Sequence, residues 1–382
     1  MLSPDERLRY RRHLQLADIG EAGQLRLRAA RVLVVGAGGL GCPILQYLAA
    51  AGVGTLGIAD ADRVEISNLQ RQILYGPADL GQLKAAAAAR EVQRLNPLVH
   101  CEVHPVRVTP ANVRALLAGY DVVIDGSDNF PTRYLLNDAC VSLAKPLVSG
   151  AIHKFEGQVS VFNYRGGPTY RCLFPTPPGP DEAPNCAATG VLGVLPGLVG
   201  TVQATEALKV VLGLGEVLSG RLWLLDALTM QTRTLRFSRH PERSLLGLDA
   251  ANPADYHDPG CAAPPAALSA AELRQRLQSA TPPFLLDVRE PNEFEAEHLP
   301  GAILLPLSQL AAGVAQVPRQ QPVVVYCRSG ARSARAIQQL QADFGFDNLQ
   351  NLEGGILAWA ESANDPARPG AGLASETSVT SA

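Results

Sequence analysis

The sequence predicts an α/β fold in two domains, a larger one built on a mainly parallel sheet and a smaller α/β domain after it. Short apolar strands alternate with helix-like segments, which favours parallel strands with helices on both faces of the sheet. A glycine-rich turn joins the first strand to a helix at 36–41, and a second strand–turn–helix pattern appears at 322–340. At ~150 residues per domain, the chain length also suggests two or three domains.

The elements of the larger domain follow from its apolar pattern. Leucines recur among arginine-rich turns over residues 1–30, which predicts a helical arm. The predicted strands are 31–36, 55–59, 121–125, 146–149, 157–163 and 221–225, and the predicted helices include 39–51 and 80–95. Six prolines and three glycines at 166–186 predict a long crossover loop without regular structure. The uncharged run 187–205 predicts a helix buried in the core or a subunit interface, not a membrane span.

Composition argues against several classes of function. Lys and Arg total 33 against 36 Asp and Glu, so the formal charge of −3 gives no case for nucleic acid as a partner. Seven cysteines without a CxxC pair are not a disulfide framework. No secretory signal opens the sequence, so we expect a cytoplasmic protein whose cysteines stay reduced and can act as nucleophiles.

A nucleotide site is predicted near the start of the chain. The glycines of Gly36-x-Gly38-x-x-Gly41 allow a tight turn, and the helix that follows offers its positive end to a phosphate. Asp60, at the end of the next strand, is placed to bind ribose hydroxyls. This motif alone leaves NAD, FAD, adenosylmethionine and ATP open as ligands.

Three charged residues favour a nucleoside triphosphate. Arg71 and Lys84 are candidate partners for phosphates, and Asp128 is a candidate magnesium ligand. A dinucleotide dehydrogenase needs few cations here, whereas nucleotidyl transfer needs cations on the phosphates and a carboxylate on the metal. Each residue taken alone could equally be a solvated charge.

The combined motifs resemble the adenylyltransferases that activate ubiquitin-like sulfur carriers, over about residues 5–247. The resemblance rests on Gly36–Cys42, Ser67–Gln72, Gly81–Lys84, Asp128-Asn129 and Glu156–Gln158. It implies a Rossmann-like, ATP-binding sheet domain of the ubiquitin-activating type. It implies ATP contacts at Gly39, Asp60, Ser67, Asn68, Leu69, Gln70, Arg71, Lys84, Asp128 and Asn129, and Gly41 and Asp62 complete the predicted set. It also implies a homodimer in which Arg12 completes the partner's ATP site.

One part of the family pattern is missing. Family members commonly bind a structural zinc ion through two CxxC pairs. Here the corresponding segments are 169–172, which keeps only Cys172, and 243–246, which has no cysteine. Because tetrahedral zinc needs four ligands, we predict that this chain binds no zinc.

Cys186 is one of two candidate nucleophiles. It ends the proline-rich loop where the apolar helix is predicted to begin, and a helix N-terminus stabilises a thiolate. A small buried residue is an equally good interpretation of the pattern. The family resemblance implies the acceptor cysteine at this position.

Cys327 is the other candidate nucleophile. It follows an apolar strand and opens the turn Cys327–Arg332, where Arg328, Arg332 and the next helix would hold a thiolate. Residues 268–362 resemble single-domain rhodaneses, which implies that Cys327 carries a persulfide. Related phosphatases place the arginine six positions after the cysteine, whereas Arg332 is five positions on, in a smaller loop that suits sulfur.

Together the resemblances imply an adenylyltransferase and sulfurtransferase. It would use ATP and Mg²⁺ to adenylate the C-terminal glycine of a ubiquitin-like carrier ending in Gly-Gly, and a persulfide or thiosulfate donor to make a thiocarboxylate. The molybdopterin, thiamine, cysteine and tRNA-thiolation pathways stay open. An NAD-dependent oxidoreductase with an accessory rhodanese domain is the alternative, and a non-catalytic scaffold is a third hypothesis.

The expected domain organisation is the adenylating domain at 1–248, a linker at 249–267, the rhodanese domain at 268–362 and a disordered tail at 363–382.

Overall fold

The computed structural model describes residues 1–178, 190–256 and 265–361. The chain divides into two compact units, Met1–His257 and Asp258–Ala382. The predicted tail and part of the predicted linker lie outside the described residues, so both stay predictions.

The first unit alternates helices and strands. Within its described residues, the helices are α1 (Pro4–Arg9), α2 (Arg11–Leu14), α3 (Gly20–Ala29), α4 (Gly41–Ala51), α5 (Lys84–Leu95), α6 (Val113–Ala118), α7 (Phe130–Ser142), α8 (Tyr170–Leu173) and α9 (Leu195–Leu212). Its strands are β1 (Arg31–Val35), β2 (Thr55–Ala59), β3 (His100–His104), β4 (Val122–Asp125), β5 (Leu147–His153), β6 (Glu156–Phe162), β7 (Arg221–Asp226) and β8 (Gln231–Arg236).

The strands form one eight-stranded sheet in the order β3-β2-β1-β4-β5-β6-β7-β8. The neighbours from β3 to β5 pair in parallel, and the neighbours from β5 to β8 pair antiparallel. The predicted sheet domain is confirmed. The chain leaves β1 toward β2 on one side and returns to β4 on the other, and this reversal is where open α/β sheets bind ligands.

Helices cover both faces of the parallel part of the sheet. Val32 and Val34 of β1 pack in a cluster with α4, α5 and α9, whereas Leu33 and Val35 pack in a second cluster with α6 and α7. Because successive side chains of a strand point to opposite faces, a strand buried on both faces is apolar throughout. The apolar runs of β1 and β4 therefore belong to the centre of the sheet.

Two predictions for residues 166–205 differ from the structure. The helix predicted from residue 187 begins at Leu195, because Gly190 has a φ of +72° and Pro196 suits the first helical turn. Cys186 lies outside the described residues, so its predicted position at a helix N-terminus stays a prediction. The proline-rich loop also contains the short helix α8, which begins at Tyr170, before most of the prolines.

The second unit is a smaller parallel sheet with helices. Its strands are β9 (Ala267–Leu268), β10 (Phe284–Asp287), β11 (Ile303–Leu304), β12 (Val323–Tyr326) and β13 (Leu349–Leu352), in the order β11-β10-β12-β13-β9. Its helices are α10 (Ala270–Leu277), α11 (Pro291–Ala296), α12 (Leu310–Gly313), α13 (Ala331–Phe344) and α14 (Gly355–Glu361). The predicted strand–turn–helix is β12, the turn after it and α13.

Candidate active sites

The glycine turn lies at the carboxyl end of β1. Gly36 has a φ of +90°, and a Cβ on Gly41 would lie 2.0 Å from the Gly36 carbonyl oxygen. A side chain at either position would therefore strain the turn or clash with it. The close packing leads β1 directly into α4, whose N-terminus faces the crevice at the end of the strand.

Asp60 holds this turn from the end of β2. Its Oδ2 accepts the Ala37 N–H at 2.8 Å, and its Oδ1 accepts the Asp62 N–H at 2.8 Å. Burial raises the pKa of the Asp60 carboxyl. Each oxygen keeps further lone-pair capacity, so the carboxylate can still accept a ribose hydroxyl.

Lys84 is the first residue of α5. Its Nζ lies 3.1 Å from Asp62 Oδ2, and its backbone N–H donates to the Asp62 carbonyl at 2.8 Å. The Lys84 side chain is 9% exposed, whereas that of Asp62 is 59% exposed. The structure thus brings Asp60, Asp62 and Lys84 together beside the glycine turn.

Residues 67–71 lie against the same turn. Asn68 is buried, and Arg71 donates from Nη1 to the Ser67 carbonyl at 3.0 Å. A Cβ on Gly39 would lie 3.7 Å from Arg71 Cγ. Leu69 is packed against the core, and Gln70 lies against the backbone of residue 193. The aliphatic part of the Arg71 side chain therefore lies close to the glycine turn.

The carboxyl end of β4 supplies the other edge of the crevice. Asp125 is fully buried and pairs with Arg133 at 3.1 Å. Asp128 is exposed, and Asn129 caps α7 by accepting the Thr132 N–H at 2.9 Å. The buried Asp125–Arg133 pair stabilises the end of β4, whereas Asp128 is exposed to solvent.

Magnesium fits this edge chemically. Mg²⁺ prefers oxygen ligands and is commonly held by one or two carboxylates together with substrate phosphates. Asp128 is an exposed carboxylate at a strand end beside the glycine turn, so its donor chemistry suits that ion. Within the described ranges, no group of three or more His, Cys, Asp or Glu residues is arranged to hold a metal by itself.

Arg12 is the predicted site residue that comes from the N-terminal helices. It belongs to α2 and is exposed, and its Nη1 contacts only the side chain of Gln15, at 3.4 Å, among the hydrogen bonds of the described residues. Its predicted contribution to a partner's site stays a prediction.

The two segments that correspond to the family's zinc site lie side by side. Cys172 Sγ accepts the backbone N–H groups of Thr169 and His240, each at 3.3 Å. Arg171 forms a buried ion pair with Asp138 at 2.6 Å and a second one with Asp255 at 2.8 Å. One cysteine does not fit a tetrahedral zinc site, and the contacts described here are hydrogen bonds to the Cys172 sulfur and ion pairs of Arg171.

The cysteine turn of the second unit encloses its sulfur. Cys327 is 1% exposed, and its Sγ accepts the Gly330 N–H at 3.2 Å and the Ser333 Oγ–H at 3.4 Å. The N–H of Ile356 donates to the Cys327 carbonyl at 2.9 Å, so α14 holds the turn from the other side. Both donors to the sulfur come from the turn and the first residues of α13.

The two arginines of the turn differ. Arg328 is exposed, whereas Arg332 forms a two-bonded ion pair with Glu293 at 2.6 and 2.7 Å. This pair lowers the pKa of the Glu293 carboxyl to about 2. Sequence reasoning missed Glu293 and Ser333 as site residues. The capping pattern at the start of α11 places Glu293 in a first turn, but its pairing with Arg332 is a tertiary contact.

Family models match both parts of the chain. The ThiF family model matches residues 10–245, and the rhodanese-like domain model matches residues 269–362. The chain belongs to the ThiF family. Its carboxyl-terminal part is a rhodanese-like domain, as the cysteine turn indicates.

Relatives of this ThiF-family chain match it over most of its length. It is 45% identical over 370 residues to a probable adenylyltransferase/sulfurtransferase MoeZ of Mycobacterium tuberculosis, covering 94% of each chain. It is 42% identical over 393 residues to an adenylyltransferase and sulfurtransferase MOCS3 of Sus scrofa, covering 94% of this chain and 86% of that protein. The chain is therefore an adenylyltransferase and a sulfurtransferase, and these relatives give no support to the NAD-dependent oxidoreductase.

Solved structures share the fold of the first unit. Escherichia coli MccB with ATP matches with a TM-score of 0.55 and 19% identity, over 63% of this chain and 74% of that one. PaaA matches with a TM-score of 0.54 and 23% identity, over 63% of this chain and 76% of that one. Among the helices in the described ranges, none is long and apolar enough to span a membrane.

Proposed function

We propose that this chain adenylates the C-terminal glycine of a ubiquitin-like sulfur carrier ending in Gly-Gly and converts it to a thiocarboxylate. The observation that carries this proposal is the presence in one chain of a nucleotide-type crevice and a buried cysteine turn. A carboxylate is a poor electrophile, and AMP is a good leaving group. Activation by ATP therefore has to precede attack by sulfur.

The first half-reaction joins the carrier to AMP. An oxygen of the carrier's carboxylate attacks the α-phosphorus of ATP, and the bond to pyrophosphate breaks. The N-terminus of α4 would receive phosphate oxygens, and Asp60 would accept ribose hydroxyls. Lys84 and Arg71 would offset the negative charge of the phosphates. Asp128 would hold Mg²⁺, which offsets charge on the departing pyrophosphate when bound.

The second half-reaction transfers sulfur. The Cys327 thiolate would take the outer sulfur of a persulfide or thiosulfate donor, which breaks the donor's S–S bond and releases a thiol or sulfite. The terminal sulfur of the Cys327 persulfide then attacks the acyl carbon and expels AMP. Cys186 then attacks Sγ of Cys327, so the carrier leaves as a thiocarboxylate and a Cys186–Cys327 disulfide remains. An external thiol must reduce that disulfide. The role of Cys186 rests on the family resemblance, because this residue lies outside the described part of the chain.

The proposed protein is a cytoplasmic homodimer with neither a nucleic-acid nor a membrane partner. Arg12 is an exposed guanidinium on the N-terminal arm, and it would complete the ATP site of the partner subunit. The near-neutral formal charge of −3 supports the absence of a nucleic-acid partner. A reducing compartment would keep Cys186 and Cys327 available between turnovers.

An intact-mass assay tests both halves. The wild type and Cys327→Ala are incubated with ATP, magnesium, thiosulfate and a carrier ending in Gly-Gly, and Cys101→Ala serves as the control at a cysteine outside both sites. We expect all three proteins to form the acyl-adenylate, and only the wild type and the control to form the thiocarboxylate. Thiocarboxylate formation by Cys327→Ala would contradict the role of Cys327. A Cys186 thioester without any inter-domain disulfide would contradict the resolving step.

A further inference from the structure

Tyr75 has no assigned role, yet its hydroxyl lies inside the nucleotide site. The side chain is 6% exposed. Its hydroxyl donates to the Ala37 carbonyl at 2.7 Å and lies 3.3 Å from the Lys84 carbonyl. One hydroxyl therefore bridges the glycine turn and the first residue of α5, two segments that are 47 positions apart in the sequence.

The two carbonyls belong to a closed ring of hydrogen bonds. From Ala37, the backbone N–H donates to Asp60 Oδ2 at 2.8 Å, and Asp60 Oδ1 accepts the Asp62 N–H at 2.8 Å. The Asp62 carbonyl then accepts the Lys84 N–H at 2.8 Å. The Tyr75 hydroxyl closes the ring between the Lys84 and Ala37 carbonyls. The ring therefore contains Asp60, the proposed ribose ligand, and Lys84, a proposed phosphate ligand.

The hydroxyl is suited to a fixed structural bond. Burial raises the pKa of Tyr75, so the group stays a neutral donor. Besides Tyr75, the Ala37 carbonyl is approached by the Cys42 thiol at 3.6 Å, which is a weak donor. Loss of the phenolic hydroxyl would therefore leave a buried carbonyl poorly satisfied and the turn less well held.

We infer that Tyr75 is a positioning residue for ATP, which locks the glycine turn, Asp60 and Lys84 into one binding geometry. It touches no reacting atom and acts through the Ala37 peptide and α5. This inference rests on the proposed function, because it assumes that the crevice binds ATP.

The test is Tyr75→Phe, which removes the hydroxyl and keeps the ring. Tyr134→Phe is the matched control, because the Tyr134 hydroxyl is also buried and also contacts two backbone carbonyls, those of Phe174 and Thr176. Dissociation constants are measured by calorimetry on the full chain with ATP and with 2′,3′-dideoxy-ATP, which lacks the ribose hydroxyls. The KM for ATP and the kcat are measured in the adenylation assay.

We expect Tyr75→Phe to weaken ATP binding about fivefold, the effect of one lost hydrogen bond. The KM for ATP should rise with kcat nearly unchanged, and the preference for ATP over the dideoxy nucleotide should fall because Asp60 is less well oriented. Tyr134→Phe should leave all three quantities as in the wild type. Asp60→Asn should remove most of the effect of Tyr75→Phe, because coupled residues are not additive.

Three results would overturn the inference. Unchanged ATP binding in Tyr75→Phe would show that the hydroxyl has no part in the site. Equal weakening for both nucleotides, or the same weakening in Tyr134→Phe, would indicate a general loss of stability rather than positioning of Asp60. A wild-type chain that binds no ATP would overturn the proposed function together with this inference, whereas the first two results leave the proposed function intact.

Discussion

The chemistry available at Cys327 depends on two hydrogen bonds to its sulfur. The sulfur is buried, so bulk water cannot stabilise the negative charge that it carries when a persulfide forms or breaks. The Gly330 N–H and the Ser333 hydroxyl do so instead, at 3.2 and 3.4 Å. The backbone at residue 330 has a φ of +91°. Glycine adopts this conformation readily, whereas residues with a side chain disfavour it. The turn thus combines a left-handed glycine with two donors aimed at one atom.

Ser333→Ala should slow sulfur transfer. Loss of one donor to the Cys327 sulfur should reduce kcat/KM for sulfur transfer from thiosulfate to cyanide about fivefold, as expected for one hydrogen bond. Ser329→Ala is the control, because Ser329 is an exposed serine of the same turn. Equal rates for Ser333→Ala and the wild type would remove Ser333 from the site.

Glu293 should make the second unit sensitive to acid. Its carboxyl pKa falls from an ordinary 4.5 to about 2 because Arg332 donates two hydrogen bonds to it. Since the folded pKa lies below the unfolded one, this stabilisation is present above pH 4.5 and is lost as the pH falls toward 2. Glu293→Gln should lower the free energy of unfolding by about 1 kcal/mol at pH 7, given the partial exposure of the pair.

The measurement is chemical unfolding of the wild type and Glu293→Gln at several pH values. The difference between them should shrink toward zero near pH 2. Glu295→Gln, an exposed position of the same helix, should match the wild type at every pH. A difference for Glu293→Gln that stays constant with pH would contradict the role of the ion pair.

A buried cluster of charged side chains connects elements of the first unit at the place where family members commonly bind zinc. Arg171 of α8 is 3% exposed and pairs with Asp138 of α7, which is fully buried. Asp255 and the Tyr256 hydroxyl, at the end of the unit, also bond to this pair. A buried charge loses hydration, so each member of the cluster is stable only while its partners are present. The cluster therefore links α7 and α8 to the end of the unit.

Arg171→Met should destabilise the first unit by roughly 3–5 kcal/mol, because it leaves the Asp138 carboxylate buried without its main partner. Arg94→Met is the control, at a side chain that is 78% exposed. The free energy of unfolding is measured by denaturant titration, with metal analysis of the purified chain. We expect no bound zinc and no effect of a chelator. One tightly held zinc per chain would overturn the prediction that this protein binds none.

The whole molecule has two units with separate cores. Two hydrophobic clusters lie within residues 19–256, and two others lie within residues 268–359. Each unit also has its own complete sheet, with eight strands in one and five in the other. Domains with their own cores can unfold in separate steps.

Denaturant unfolding should therefore show two transitions. Arg171→Met should shift only the transition of the first unit, and Glu293→Gln should shift only that of the second. Tryptophan fluorescence separates the two, because Trp223 belongs to the first unit and Trp359 to the second. A single transition that moves in both variants would contradict independent unfolding.

The sequence by itself determined the two-domain α/β fold, the glycine turn and the cysteine turn. These features depend on local patterns: apolar strands, glycines at positions that require them, and a cysteine directly after a buried strand. Tertiary structure alone decided the start of α9, the pairing of Glu293 with Arg332, the cluster around Arg171 and the ring closed by Tyr75. Each of these depends on side chains or peptides far apart in the chain, and packing, not local preference, brings them within hydrogen-bond distance.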